Sequence, residues 1–416
     1  MGHITGTGNP DKDLAAILAE LQKPEDLILE GTFSLDGDIG VPSKRTVQIT
    51  KGILIKGILD ANGAMAKITG GGGVNQAANP PLPYPAFDVI SSDTKPITIQ
   101  DLIFEVPQAI AIRAQQIVDL TVTGCRIQGV KPVLLTDATG KFYSASGIVI
   151  SLTSVPTQAL ISIRDNWMDI GDETSDSTLN IDRTLGIVVI QAAGTKSTEI
   201  TFTGNHIKTV TGFGIDIRSL FGTARVTGNE IEMSHKGVPK PPFLPSGIRC
   251  QKSGTYTVSG NIIDCDYAAG IRLQGTDPTK PMAGALVDSN QVTVRNNELL
   301  NELCVGIELR QNCANNEVTR NTIYGLPYYA LAVVKGGNFT PVANRFEVNK
   351  YGPPTAVVAH VFVDYDVQQT LITSWDPREG EAIWAGFGGF LVDHGTGTKV
   401  IGNYKVGPNP NPPSTA

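Results

Sequence analysis

Hydrophobic and polar positions along the chain alternate in short runs rather than in helical turns. The recurring form is a small residue followed by apolar residues at every second place. It occurs as "SGIVIS", "LGIVVIQ", "FGIDIRS", "SGIRCQK", "AGIRLQG", "VGIELRQ" and "YALAVVK". A period of two belongs to strands, not helices. Between these runs lies a second repeat, in which one apolar run ends in a small residue plus Asn and another follows. Its instances are "ISIRDNWMDI", "ITFTGNHIKT", "ARVTGNEIEM", "YTVSGNIIDC", "VTVRNNELLN" and "EVTRNTIYGL". "LTVTGCRIQG" has Cys125 at the Asn place, and "KVIGNYKVGP" repeats the form near the end. The Asn places are Asn166, Asn205, Asn229, Asn261, Asn297, Asn321 and Asn403. Their spacing varies, mostly roughly 24 to 39 residues, as in a solenoid with loop insertions.

Each repeat therefore carries three short strands, two flanking the Asn and one starting at the small residue. Stacked turn on turn, such strands make an all-β, single-stranded parallel β-helix of roughly ten coils. The Asn is expected to take the left-handed backbone conformation of a sharp turn and to hydrogen-bond along the stack. "DKDLAAILAELQ" reads as a short amphipathic helix with Asp11 near its start, capping the first coil. The expected organisation is an N-terminal segment with that helix over 1–26, a β-helix domain over 27–406 and a Pro-rich tail over 407–416. "ITGGGGVNQAANPPLPYPAF" reads as a loop.

Composition narrows the partners. The chain has 416 residues and a formal net charge of -7, with no run of Lys and Arg, so duplex nucleic acid is excluded as a partner. No apolar span is long enough for a membrane helix. The five cysteines form no C-x-x-C pair, and they read as small buried side chains rather than a disulfide framework or zinc site. The N-terminus lacks a charged-then-apolar signal region, which leaves localisation open, a secreted mature form included.

The Gly-Ile strands and stacked "TGN" turns resemble the right-handed parallel β-helix of the pectate lyase-like superfamily, over roughly residues 96 to 404. That resemblance implies a right-handed coil and a carbohydrate-active protein. It places the Gly-Ile strands in the first sheet, where such proteins hold the sugar chain. The superfamily includes lyases, hydrolases, epimerases, fructotransferases and tailspikes, so the fold alone does not choose among them. Neither the polygalacturonase acidic pairs nor the Asp-Pro-His of alginate epimerases is present. "NEIEMSHKG" departs from the Glu-x-Glu and Lys spacing of alginate and chondroitin lyases.

Stacking the Gly-Ile strands aligns their outward residues. The second column reads Val149, Val188, Asp216, Arg249, Arg272, Glu308, Ala332, and the fourth Ser151, Ile190, Arg218, Gln251, Gln274, Arg310, Val334. The polar members fall in consecutive coils. At about 4.8 Å between coils, Arg249 and Arg272 flanked by Asp216 and Glu308 make a patch suited to a sugar carboxylate. The bland alternative is a row of ion pairs on an exposed sheet. Arg218, Gln251, Gln274 and Arg310 are candidate substrate contacts, and Phe213 and Tyr267 candidate stacking rings, with Phe243, Tyr328 and Tyr329 nearby. Long segments border the sheet: "GVKPVLLTDATGKFYSAS", "GDETSDSTLNIDRT", "SHKGVPKPPFLPS" and "GTDPTKPMAGALVDSNQ". The outward third-sheet columns read Arg126, Trp167, His206, Glu230, Ile262, Glu298, Thr322 and Gln128, Asp169, Lys208, Glu232, Asp264, Leu300, Tyr324.

A lyase on an acidic, uronate-containing polysaccharide or oligosaccharide fits best. Arg249 and Arg272 would neutralise the carboxylate, and an Arg, His235, Lys236 or Tyr267 would supply the base. A glycoside hydrolase or glycosyl-transferring enzyme is the alternative. Asp216 and Glu308 stand about 14 Å apart by coil spacing, too far for a pair, so one would need a loop carboxylate such as Asp172, Glu173, Asp182 or Asp266. No cofactor is required and no metal site is visible; calcium with Asp216 as a ligand remains open. The competing class is a non-catalytic carbohydrate-binding or fibre-like β-helix, as a monomer or trimer.

Overall fold

The computed structural model describes residues 1–75, 77–78, 81–91, 93–137, 140–152, 158–170, 182–192, 197–209, 212–234, 245–266, 268–277, 279–295, 304–336, 339–351, 359–373 and 391–401. The chain forms two compact units. The first comprises residues 1–224 with 234–243, and the second residues 225–233 with 244–416.

Both units are stacks of coils, and each coil adds one strand to each of three parallel sheets. In the second unit the first sheet runs Ser246–Gln251, Ala269–Gly275, Val305–Gln311, Tyr329–Val334, Ala359–Val363, Leu391–Asp393. Its strands pair Ile248 with Ile271, Ile307, Leu331, Val361 and Leu391 in turn, and all of these are buried. Such stacks keep each apolar face out of water only because the next coil covers it. In the first unit the corresponding sheet runs from Val47–Ile49 through Leu82–Ile90, Ile110–Gln115, Gly140–Leu152 and Asp182–Gln191 to Gly212–Ser219.

The repeated glycine of the first-sheet strands is a matter of space. A Cβ on Gly270 would stand 2.2 Å from Val292 Cγ1, and one on Gly186 2.4 Å from Ile207 Cγ2. Third-sheet side chains fill that corner, so only glycine fits.

The asparagines form a buried ladder. Asn229, Asn261, Asn290, Asn321 and Asn349 follow one another in the second unit, and Asn166 precedes Asn205 in the first. The Oδ1 of Asn261 accepts from both the backbone N–H (3.0 Å) and the Nδ2 (2.9 Å) of Asn229. Asn261 in turn donates from Nδ2 to Asn290 Oδ1 and to the Val226 carbonyl. A second, shorter ladder joins Asn316 to Asn344.

Several expectations change here. The left-handed residue is the one before each ladder Asn: Gly204, Gly228, Gly260, Ser289, Arg320 and Val348 have φ between 45° and 65°. The Asn contributes its amide, not an unusual backbone. The rung expected at Asn297 belongs to Asn290, so Gln291 and Thr293 occupy the third-sheet places assigned to Glu298 and Leu300. Asn297 and Asn403 lie outside the described residues. The supposed loop "GTDPTKPMAGALVDSNQ" contains the strands Met282–Ala283 and Leu286–Asp288. "GVKPVLLTDATGKFYSAS" is a hairpin, with Val133–Asp137 antiparallel to the first-sheet strand. "ITGGGGVNQAANPPLPYPAF" likewise pairs Gly73–Asn75 antiparallel with Leu82–Ile90. The helix spans Pro10–Leu21 with Asp11 in its first turn as expected, and Asn9 caps it, accepting from the Lys12 N–H at 3.2 Å. Buried Asp13 ties this helix to the first coils by accepting from the Thr7 N–H and Oγ1 and from the Ser34 N–H.

The ladder yields a stability prediction. Asn261→Ala strands several buried donors and acceptors and lowers the unfolding free energy by about 2–3 kcal/mol. Gly260→Asn, whose new Cβ meets nothing within 4 Å and whose φ of 63° Asn tolerates, costs less than about 1 kcal/mol. Urea unfolding of the two variants checks this, and the reverse order of costs contradicts it.

Candidate functional site

The outward columns of the first sheet have the expected register within each unit, with one exception. In the second unit Arg249 pairs with Arg272, Arg272 with Glu308 and Glu308 with Ala332. In the first unit Arg113, Val149, Val188 and Asp216 align. The exception is Arg218: the register shifts between Val189 and Ile190, and Ser219 rather than Arg218 pairs with Ile190.

The ladder is not the exposed row of ion pairs that alternation suggested. Arg272 is 0% exposed and Glu308 2%, although both point outward from the sheet. Arg272 Nε donates to Glu308 Oε2, and its Nη1 reaches Ser246 Oγ at 3.0 Å and the Pro245 carbonyl at 3.4 Å. The other carboxylate oxygen, Oε1, accepts from Arg310 Nη1 at 3.1 Å. Burial works against the Glu308 charge, yet Arg272 and Arg310 outweigh it and hold the carboxyl below its ordinary pKa. Burial also pulls the Arg272 pKa down, with Glu308 opposing. Glu308 is therefore an ionised acceptor at neutral pH. That suits it to fixing guanidiniums and not to donating a proton as a glycosidase acid.

Above this pair the sheet is half-buried and polar. Arg310, 26% exposed at its side chain, is held to the buried carboxylate two residues back on the same face. Beside it runs an amide row: Gln251 Nε2 donates to Gln274 Oε1 at 2.9 Å, and Gln274 Nε2 to Gln311 Oε1 at 3.1 Å. Arg249 is half-buried in the same unit. From Tyr329 and Ala332 onward the outward face turns apolar, with Phe362 and Val392 also buried.

The first unit repeats the arrangement of a buried acid holding an outer side chain. Asp216 is fully buried and accepts from Arg218 Nε at 2.7 Å, leaving Arg218 36% exposed. Asp88 accepts from Arg113 Nε and Nη2 at 3.0 and 2.7 Å and from Gln115 Nε2 at 3.1 Å. The Asp88–Arg113 pair went unread because its strands, "AFDVIS" and "AIAIRAQ", lack the Gly-Ile mark, though both alternate.

Other candidates fall elsewhere. Phe213 is buried with Leu185 and Val188 and packs rather than facing a ligand. Tyr329 is 6% exposed, and Tyr328 lies edge-on to it at 4.8 Å. Asp266 stands 3.9 Å from Arg295, which also binds Asp264 at the end of a third-sheet strand. His206 lies parallel to Trp167 at 6.0 Å, with Arg126 over the indole at 4.8 Å. His235, Lys236, Phe243 and Tyr267 lie outside the described residues, as do Asp172 and Glu173; of the Asp182 side chain nothing is described.

Comparison with known proteins agrees with this architecture. Residues 109–346, more than half of the chain, match the family described as "Right handed beta helix region". The chain belongs to the right-handed β-helix family. No curated protein sequence matches it. Among solved structures, this right-handed β-helix is similar to DFA-IIIase from Arthrobacter chlorophenolicus A6 without its lid. The identity is 12%, 96% of each chain is covered and the TM-score is 0.48. The same lidless protein in complex with GF2 matches at 12% identity, over 97% of this chain and 100% of that one, with a TM-score of 0.49. A mutant of the periplasmic alginate epimerase AlgG matches at 11% identity, over 95% and 89%, with a TM-score of 0.42. These likenesses concern the fold and do not bear on the reaction.

The buried pair gives a prediction for the β-helix. Glu308→Ala leaves a buried guanidinium without its carboxylate and costs about 3–5 kcal/mol, whereas Arg272→Met with Glu308→Leu costs less. Because the Glu308 pKa is lowered on folding, its contribution is full above the ordinary carboxylate pKa. It is lost as the pH falls through that value to the lowered one. Unfolding curves of wild type and Glu308→Gln should therefore converge in acid; a gap that stays constant with pH contradicts this.

Proposed function

We propose that the protein is a carbohydrate-active enzyme that holds an acidic glycan along the first sheet of its second unit and cleaves it by elimination. The observation that carries this reading is the Arg272–Glu308–Arg310 chain. A buried cation fixes a buried anion, which fixes a half-exposed cation. The outer guanidinium is thereby placed before any ligand arrives, so less side-chain entropy is lost on binding. Arg310 with Arg249 would face the uronate carboxylate, and the amides of Gln251 and Gln274 the sugar hydroxyls.

The chemistry follows from that placement. A guanidinium on the carboxylate stabilises the negative charge that builds when the neighbouring carbon loses its proton. The base takes that proton, the electron pair forms the ring double bond, the glycosidic C–O bond breaks, and the leaving oxygen is protonated. His235, Lys236 and Tyr267 are the residues proposed for the base. Arg272 and Glu308 act here as positioning residues. Asp216 places Arg218 in the same way in the first unit. Hydrolysis with Glu308 as the proton donor is disfavoured, because its neighbours stabilise the ionised form.

The test is the ultraviolet absorbance of unsaturated uronate across a panel of acidic polysaccharides, with and without calcium. The expected result is a signal with one polymer that falls about 100-fold or more in Arg310→Ala. New reducing ends without unsaturation would replace elimination by hydrolysis. Binding without turnover in either assay would make the protein a non-catalytic carbohydrate-binding β-helix.

A further inference from the structure

Of the Phe, Tyr and Trp side chains described, Tyr365 is the exposed one, at 46%. It occupies the turn after the first-sheet strand Ala359–Val363. The His394 ring lies parallel to it at 4.2 Å and 8°, and His394 itself meets buried Phe362 edge-on at 6.1 Å. The phenol ring thus has a firm backing on one face, leaving its other face and edge to account for the exposure.

The turn is rigidly built. Asp364 accepts from the Tyr365 N–H at 2.8 Å and, through its other oxygen, from the Lys335 N–H at 3.0 Å. Lys335 Nζ meets Asp366 at 2.5 Å, Asp366 takes a left-handed φ of 63°, and Val367 behind it is fully buried. An apolar ring pinned outward, stacked and flanked by charged groups with hydrogen-bonding capacity, is the arrangement that receives the C–H face of a sugar ring.

Its position along the stack adds to this. The amide row Gln251–Gln274–Gln311 runs toward the same border, and the Gln311 side chain lies across Gly336, next to Lys335. Coils are about 4.8 Å apart, close to the length of one sugar in an extended chain. From Gln251 to Tyr365 is four such spacings, about 19 Å. We infer that Tyr365, backed by His394, is a sugar-stacking subsite for the far end of an extended glycan whose nearer residues lie on the amide row. This rests on the reading of the first sheet as a glycan site, but it uses residues outside the arginine cluster.

Calorimetric titration of the full chain with galacturonate dimer and hexamer, and with cellohexaose as the neutral probe, tests it. Tyr365→Ala should weaken hexamer binding about tenfold, leave the dimer unchanged, and be restored by Tyr365→Phe. Thermal unfolding checks that this exposed variant is folded. If Arg310→Ala abolishes hexamer binding and Tyr365→Ala does nothing, the subsite is overturned and the arginine site stands. If Tyr365→Ala weakens binding and Arg310→Ala does not, the arginine site fails and the subsite stands. A wild-type chain that binds neither hexamer overturns both.

Discussion

Register between coils is the constraint on which everything else rests. A parallel strand displaced by one residue would turn its whole apolar set outward. The asparagine ladder guards against that slip. Each buried Oδ1 accepts two donors from one neighbouring coil while the Nδ2 donates onward, so a slip would strand several buried groups at once. Because register is kept, residues of one kind fall into columns. Ile stands on Ile inside, and on the outside Arg272 stands beside Glu308.

The second consequence concerns charge. Outward-facing residues of the first sheet are not solvent-facing by default, since Asp216, Arg272 and Glu308 are buried. A buried charge is tolerated only when paired and hydrogen-bonded. Asp216 and Glu308 each meet that condition with an arginine, and each steadies the arginine two places along its own strand, Arg218 or Arg310. Asp88 does the same across strands for Arg113 and Gln115. In the second unit the device gives a polar floor whose upper surface is the Arg310 guanidinium and the amides of Gln251, Gln274 and Gln311. A floor of that kind discriminates by geometry as much as by charge.

Much of this was legible in the sequence, for reasons that particular residues show. The Gly-Ile mark is reliable because Val292 and Ile207 fill the space a Cβ would need at Gly270 and Gly186. The first-sheet columns followed from counting by two. Asn290 was missed because "VDSNQ" fell inside a stretch read as a loop, and "VTVRNNELLN" just after it offered Asn297 as the rung instead. The shift at Val189/Ile190 has no local sign. Burial of Asp216 and Glu308 was not legible either. Alternation says which way a side chain points, not whether a distant segment covers it. Tyr365 lacks the Gly-Ile mark on its strand and lies in a turn, so it belonged to no column.

A crystal structure of the protein with a bound galacturonate oligomer would test the account most directly. The account predicts sugar density along the first sheet of the second unit, with a uronate carboxylate hydrogen-bonded to Arg310 and the Arg272–Glu308 pair undisturbed beneath it. Density on another face, or a ligand that displaces Arg310 from Glu308, would contradict it.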